Sequence, residues 1–267
     1  MTSLALGLLL AAPSFGWADS ASLSAGVFTA TPQAPAISAA DDAEAKRWSI
    51  TPYFWAPEIE GAITVRGNRA SGLVPFSDIL DQLDLAALVH VERAGDDWSI
   101  LLDTVSMWLS QDLDGPLDAE IELTLVTTEL ASAYRLADFD EQLGVPVTLD
   151  GLVGMRYVYY ELDLDTNAGA SREVNDDFLD PIVGARSQWR ITEGFWLGAR
   201  ADVGGFSIGS KLSWQLIGTL GWDPAEWLSV IGGYRLLDID YTKDTGLTES
   251  GMDLQFRGPM LGVMFRF

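Results

Sequence analysis

The single histidine of this 267-residue chain, His90, shares an alternation face with Glu92, and Ser99 and Ser106 follow closely. A serine nucleophile, an imidazole base and an orienting carboxylate are the parts of an acyl-hydrolysing site, so these residues could cleave an acyl chain from a lipid. Neither serine stands in a recognisable nucleophile motif. His90 is therefore read as a partner for nearby carboxylates, and no catalytic residue is assigned. A second pattern, "DLDTNAG" from Asp163, resembles the opening of a calcium loop, but Gly169 falls one place late and no Glu stands at the twelfth position. Cysteine is absent, which removes thiol catalysis, disulfides and Cys-ligated metals. No cofactor and no dedicated metal site are expected.

Asp and Glu outnumber Lys and Arg by 39 to 16, giving a formal net charge of −23. Phosphate binding needs clustered positive charge, so nucleic acid is excluded as a partner. Divalent cations at the acidic connections, bridging to anionic surfaces, fit the charge better. Yet 48% of the residues are apolar, and the chain holds 10 Trp, 7 Tyr and 11 Phe. That composition forms a packed structure rather than a disordered one.

The elements that position these groups follow from period two. In "KLSWQLIGTLGW", Leu212, Trp214, Leu216, Gly218, Leu220 and Trp222 fall on one face and Ser213, Gln215, Ile217, Thr219 and Gly221 on the other. Runs of this length match the roughly 9–11 residues of a tilted strand crossing a membrane and exceed the roughly 5–6 typical of soluble sheets. The whole chain reads as about ten strands near 48–66, 85–94, 98–110, 119–135, 147–164, 177–191, 195–208, 211–222, 226–243 and 252–267. The prediction is an all-β, transmembrane, antiparallel up-and-down barrel, with 8 or 12 strands as alternative counts. Short connections after even strands and longer acidic ones after odd strands give the two ends of such a barrel, the short turns being periplasmic. Trp48, Trp98, Tyr134, Trp189, Phe195, Trp222, Trp227 and Phe267 all fall at the periplasmic ends, as an interfacial girdle requires. Trp108, Tyr159, Phe178 and Tyr241 would form the outer girdle. "PFSDILDQLD" from Pro75 reads as a short helix in the first external loop, capped by Ser77.

Counting alternate positions then gives an inward charge set. Glu92, Asp103, Glu120, Glu122 and Glu129 come from strands two to four, and Arg156, Arg186, Arg190, Arg200, Asp202 and Arg235 from strands five to nine. Placing Glu129 inward together with Glu120 and Glu122 requires a bulge near Thr127 and Thr128. Acids and arginines would face each other across the lumen. Two readings stay open: an ion-pair network that fills the barrel, or a narrow low-conductance pore for small or cationic solutes whose opposed walls orient them.

The N-terminal stretch "LALGLLLAA" is too short to span a bilayer, and Gly16 and Ala18 suit a signal peptidase. Residues 1–18 are expected to be a signal peptide, 19–46 a flexible periplasmic linker, and 47–267 the barrel. No Lys or Arg precedes the apolar core, so the terminal amine acts alone or the true start lies upstream.

"GVMFRF" resembles the terminal pattern of bacterial outer-membrane β-barrel proteins, with Gly262, Phe265 and Phe267 in the required places. "TPYFWAPEIEG", "PFSDILDQLD", "GGYRLLDIDY" and "GPMLG" are similar to segments of a largely uncharacterised Gram-negative group of such barrels. The resemblance implies location in the cell outer membrane, contact with its lipids and lipopolysaccharide, and recognition of the terminal pattern by the barrel-assembly machinery. The expected role is structural, in envelope integrity. The conducting pore is the alternative, and a lipid A-modifying hydrolase built on His90 and Glu92 is a minor one.

Overall fold

The computed structural model describes residues 47–65, 68–74, 83–113, 119–139, 144–166, 171–244 and 249–267. The expected signal and linker, 1–46, lie outside the described residues, as do residues 75–82 of the expected helix. Leu83 and Asp84, its last two positions, belong to a strand instead.

Twelve strands follow in chain order: β1 Trp48–Trp55, β2 Glu58–Val65, β3 Asn68–Val74, β4 Leu83–Ala94, β5 Trp98–Leu113, β6 Ala119–Phe139, β7 Val147–Thr166, β8 Ser171–Arg190, β9 Phe195–Gly204, β10 Leu212–Ala225, β11 Leu228–Asp244 and β12 Glu249–Arg266. β1 and β2 lie end to end along β12, broken only at Ala56 and Pro57, so they make one stave. With β4 to β12 this gives a closed antiparallel barrel of ten strands, and β3 is an extra strand paired with β2. The ends meet where Trp48 and Phe267 exchange both backbone hydrogen bonds at 3.0 Å. Closure leaves no raw sheet edge there, which hydrocarbon would penalise by several kcal/mol per unpaired group.

Alternation sorts the two faces. Ile50, Phe54, Leu102, Leu130, Val153, Met155, Leu179, Val183, Leu216, Leu220 and Leu261 are all exposed on the outside. Their neighbours one residue along are buried in the lumen. A continuous apolar exterior around a polar interior inverts a soluble protein, and its solvent is the acyl region of a bilayer.

β6 has 21 residues and β7 and β8 have 20 each, about twice what crossing requires. These strands therefore run on past the membrane. Asp163, Glu173, Asp176 and Asp177 stand on those extensions, and Asp112 on β5, rather than in loops as the sequence suggested. The calcium-like opening at Asp163 is likewise part of extended β7.

Directly beside the long strand β8 the rim drops. β9 ends at Gly204, and a tight turn returns the chain with positive φ at Gly205 (88°), Phe206 (49°) and Ser207 (59°). Such angles cost about 1–3 kcal/mol at a residue with a side chain. Asp180 offsets this by accepting from the Ser210 amide and hydroxyl at 2.6 Å each.

Candidate functional site: the luminal charge layers

At mid-height, β5, β6, β7 and β11 each point one ionised side chain at the barrel axis and β9 points two, Arg200 and Asp202. Arg156 donates from Nε to Glu129 (2.8 Å), from Nη2 to Asp202 (2.5 Å) and from Nη1 to Ser213 (3.2 Å). Arg200 reaches Glu129 (2.7 Å) and Asp202 (2.9 Å). Arg235 donates to Gln215 (2.7 Å), to Tyr53 (3.0 Å) and to Asp103 (3.0 Å), while the Tyr53 hydroxyl donates to Asp103. Gln215 completes the ring by donating to Asp202 at 3.1 Å. Relative exposures of 0% for Arg156 and 1% for Glu129 and Arg235 show how fully these charges are buried. Planar guanidinium forks suit the task, because each bridges two or three acceptors in fixed geometry.

A second layer lies toward the periplasm. Arg186 grips Glu92 through both terminal nitrogens (3.0 and 2.8 Å) and also donates to Asp150 (2.9 Å) and Ser99 (2.8 Å). Arg135 meets the other Asp150 oxygen at 2.6 Å. His90 sits between the layers, 3.6 Å from Glu92 and 3.4 Å from Asp103. Ser99 accepts from the same Arg186 nitrogen that holds Glu92, whereas Ser106 lies on the opposite face of β5 from Asp103. At the periplasmic mouth Asp223 accepts from Arg190 (2.7 Å), Trp196 (3.0 Å), Ser229 (2.5 Å) and Arg266 (3.3 Å).

Above the charged layers the lumen is apolar. Trp55, Met107, Leu125, Tyr160, Leu237, Met252 and Phe256 belong to one buried cluster, and Phe178 stacks on Tyr241 at 4.3 Å. The sequence assigned these last two to the outer girdle; both instead face inward, because the strands carrying them continue beyond the membrane and have luminal positions to fill. Trp55 roofs the central layer, with the Arg235 guanidinium 4.9 Å from its ring centre.

Glu92, Asp103, Glu129, Arg156, Arg186, Arg190, Arg200, Asp202 and Arg235 thus all enter luminal networks. Glu122 does not. β6 pairs with β5 and β7 without interruption past Thr127 and Thr128, so the bulge expected there is absent and plain alternation holds. Glu129 is inside with Ala131 and Ala133, and Glu122 is outside with Leu130 and Tyr134. An outward acid is tolerated because Glu122 stands on the part of β6 above the membrane. The side chain of Glu120 lies outside the described residues. The actual shift in β6 comes lower, between Arg135 and Ala137. Sequence reasoning passed over Tyr53, Arg135, Asp150, Gln215 and Asp223. Asp150 shares the parity of Arg156, so its signal was present; Tyr53 and Gln215 are neutral, and charge counting does not register them.

At the outer rim Glu161, Asp163 and Glu173 have carboxylate oxygens within 4.8 Å of one another. Tyr159 and Asn175 each donate to one of them at 2.8 Å, as in a solvated acidic ladder. On the lipid face, the side-chain-free positions Gly218 and Gly232 leave a shallow apolar groove of about 590 Å³ framed by Trp189, Leu197, Leu220 and Tyr234.

Fold, exterior and lumen together define a transmembrane β-barrel of the outer-membrane type. Among solved structures, the chain is similar to the outer membrane protease OmpT from Escherichia coli, with 10% identity, a TM-score of 0.49, and coverage of 82% of this chain and 96% of that one. It is also similar to Neisserial surface protein A, NspA (10% identity, TM-score 0.36, 82% and 97% covered), and to the attachment invasion locus protein Ail of Yersinia pestis (12%, 0.37, 82% and 98%). No protein-family profile matches the chain, and no curated protein matches it by sequence.

Proposed function

We propose that the protein is a structural barrel of the cell outer membrane, contributing to envelope integrity, with a lumen sealed to axial flow. The observation that carries this reading is the central layer, in which Arg156, Arg235 and Glu129 are at most 1% exposed. Barrels of about eight strands are filled by side chains and those of about sixteen hold water, and ten lies near the filled end. Purified barrel in a planar bilayer is expected to give a baseline free of reproducible conductance steps. Ion-selective steps would sink the sealed reading and establish the narrow pore.

Assembly is proposed to depend on the closing strand, since Phe267 supplies the backbone pair to Trp48 and the final outward aromatic. Deleting Phe267 should reduce the fraction that becomes heat-modifiable in cells. Insertion at the level of the intact chain would remove the terminal pattern from consideration as an assembly signal.

A further inference from the structure

The outer half of the lumen combines an apolar lining with hydrogen-bond donors that have nothing to donate to. Trp55 is 3% exposed, yet its indole Nε1 has no hydrogen-bond partner, and neither does Nη2 of Arg235 directly beneath it. Glu129 Oε1 lies 3.5 Å from that nitrogen, an ion pair too long for a good hydrogen bond. Buried donors left unsatisfied lose their hydration without compensation, and an acceptor supplied from outside would restore it. Above them the cluster includes Met107, Met252 and, at its margin, Met260. Methionine repacks more readily than any branched residue, so this part of the lumen can yield space to a flexible chain.

Among the described residues, the ladder between β1 and β4 is short. β1 pairs with β4 only from Trp48 opposite Arg93 to Pro52 opposite Val89. Beyond Pro52, which has no N–H to continue the ladder, β1 remains paired with β12, and β4 from Leu83 to Leu88 remains paired with β5. Among the described residues, no ladder joins β4 to β1 or β3 over that stretch. The break begins at hydrocarbon depth, because Phe54 pairs with Leu261 and both are exposed on the lipid face. Behind it stand Tyr53, Trp55 and Leu88, all members of the apolar cluster.

We propose that the outer half of the lumen is a binding site for an acyl chain with an uncharged carbonyl head, reached from the membrane through the break between β1 and β4. The head would accept from Trp55 Nε1 and Arg235 Nη2, and the tail would replace methionine side chains beside Phe256 and Met252. Charge decides the class of head. The central layer already matches Asp103, Glu129 and Asp202 with Arg156, Arg200 and Arg235, so it offers no net positive charge to a carboxylate. An ester or amide carbonyl, as in a glycerolipid, brings an acceptor without a buried charge. The site rests on the sealed central layer as its floor.

The test uses the full barrel in dioleoylphosphatidylcholine vesicles and a monoacylglycerol carrying a diazirine at the tail end, with photo-adducts mapped by mass spectrometry. Adducts on Met252 and Phe256 are expected beside those on outward Phe54 and Leu261; adducts confined to the outward residues would overturn the site. The matching diazirine fatty acid, ionised at alkaline pH, should label the luminal residues at least about tenfold less. Equal labelling by the two probes would overturn the uncharged head. Trp55→Phe keeps an aromatic ring and removes one donor, so luminal labelling should fall about two- to tenfold with Leu261 labelling unchanged as the check on folding. An unchanged luminal yield would overturn the role of Trp55. Conductance is read separately, so luminal adducts in a conducting barrel would leave this site standing and remove only the sealed floor.

Discussion

Arg156→Met is expected to lower the unfolding free energy of the barrel by about 3–5 kcal/mol, the cost of breaking a buried ion pair from one side. Arg156 is wholly buried and bridges Glu129 to Asp202. Methionine matches much of its volume, so the loss is one of charge rather than of packing. Glu129 keeps Arg200 at 2.7 Å, but Asp103, Glu129 and Asp202 then outnumber the two remaining guanidiniums, Arg200 and Arg235, in a buried layer. Urea titration in vesicles, read by the mobility shift between folded and unfolded barrel, measures the change. Arg156→Lys should recover only part, because a point charge on a flexible stem cannot span both carboxylates and Ser213 at once. Glu122→Gln, on the exposed side of the same sheet, should stay within about 0.5 kcal/mol. A loss below about 1 kcal/mol for Arg156→Met would mean that water reaches the central layer, and the sealed lumen would fall with it.

The second large effect separates hydrocarbon from water. Leu212 and Leu216 lie on the same outward face of β10 and are equally exposed, at 44% each. In water, Arg at either position would be nearly neutral. In a bilayer, Leu216→Arg places a charge near the middle of the apolar band and should cost about 2–4 kcal/mol, whereas Leu212→Arg at the strand end should cost about 0–1 kcal/mol. The same urea titration reads both. Equal costs would show that this exterior is not lipid-facing, whatever its composition.

The barrel could be read from the chain because one face of each strand answers to a single solvent. Leu212 to Trp222 alternates apart from Ile217, and Leu179 to Ile191 apart from Pro181, Ile182 and Ser187, so strand positions and most inward sets followed from parity. Parity fails where the solvent changes along a strand. Glu122 and Phe178 lie beyond the membrane, where the outside is water and the inside is an apolar core, so the rule that acids point in and aromatics point out reverses. The bulge invented at Thr127 was a consequence of applying one rule to all 21 residues of β6. The pairing of charges was less legible than their direction. Arg186 meets Glu92 on β4 and Arg235 meets Asp103 on β5, contacts across the lumen that depend on stagger and strand tilt rather than on any local pattern. Tyr53, Gln215 and Ser213 were missed for a related reason: a hydrogen-bond network is completed by neutral groups, and neutral groups carry no signature in a charge count.

The contact between β1 and β12 also bears on time. The ladders from β4 through β12 join strands adjacent in the chain and can form as hairpins, and β1 meets β4 across β2 and β3, whereas Ser49 meets Arg266 only after nearly all of the barrel-forming chain has been gathered. Loop-closure entropy makes that the last and slowest ladder to appear. Before it forms, the sheet carries two bare edges that hydrocarbon would not accept. It follows that insertion and closure proceed as one event, and that the rate at which this protein matures is the rate at which its two ends find each other.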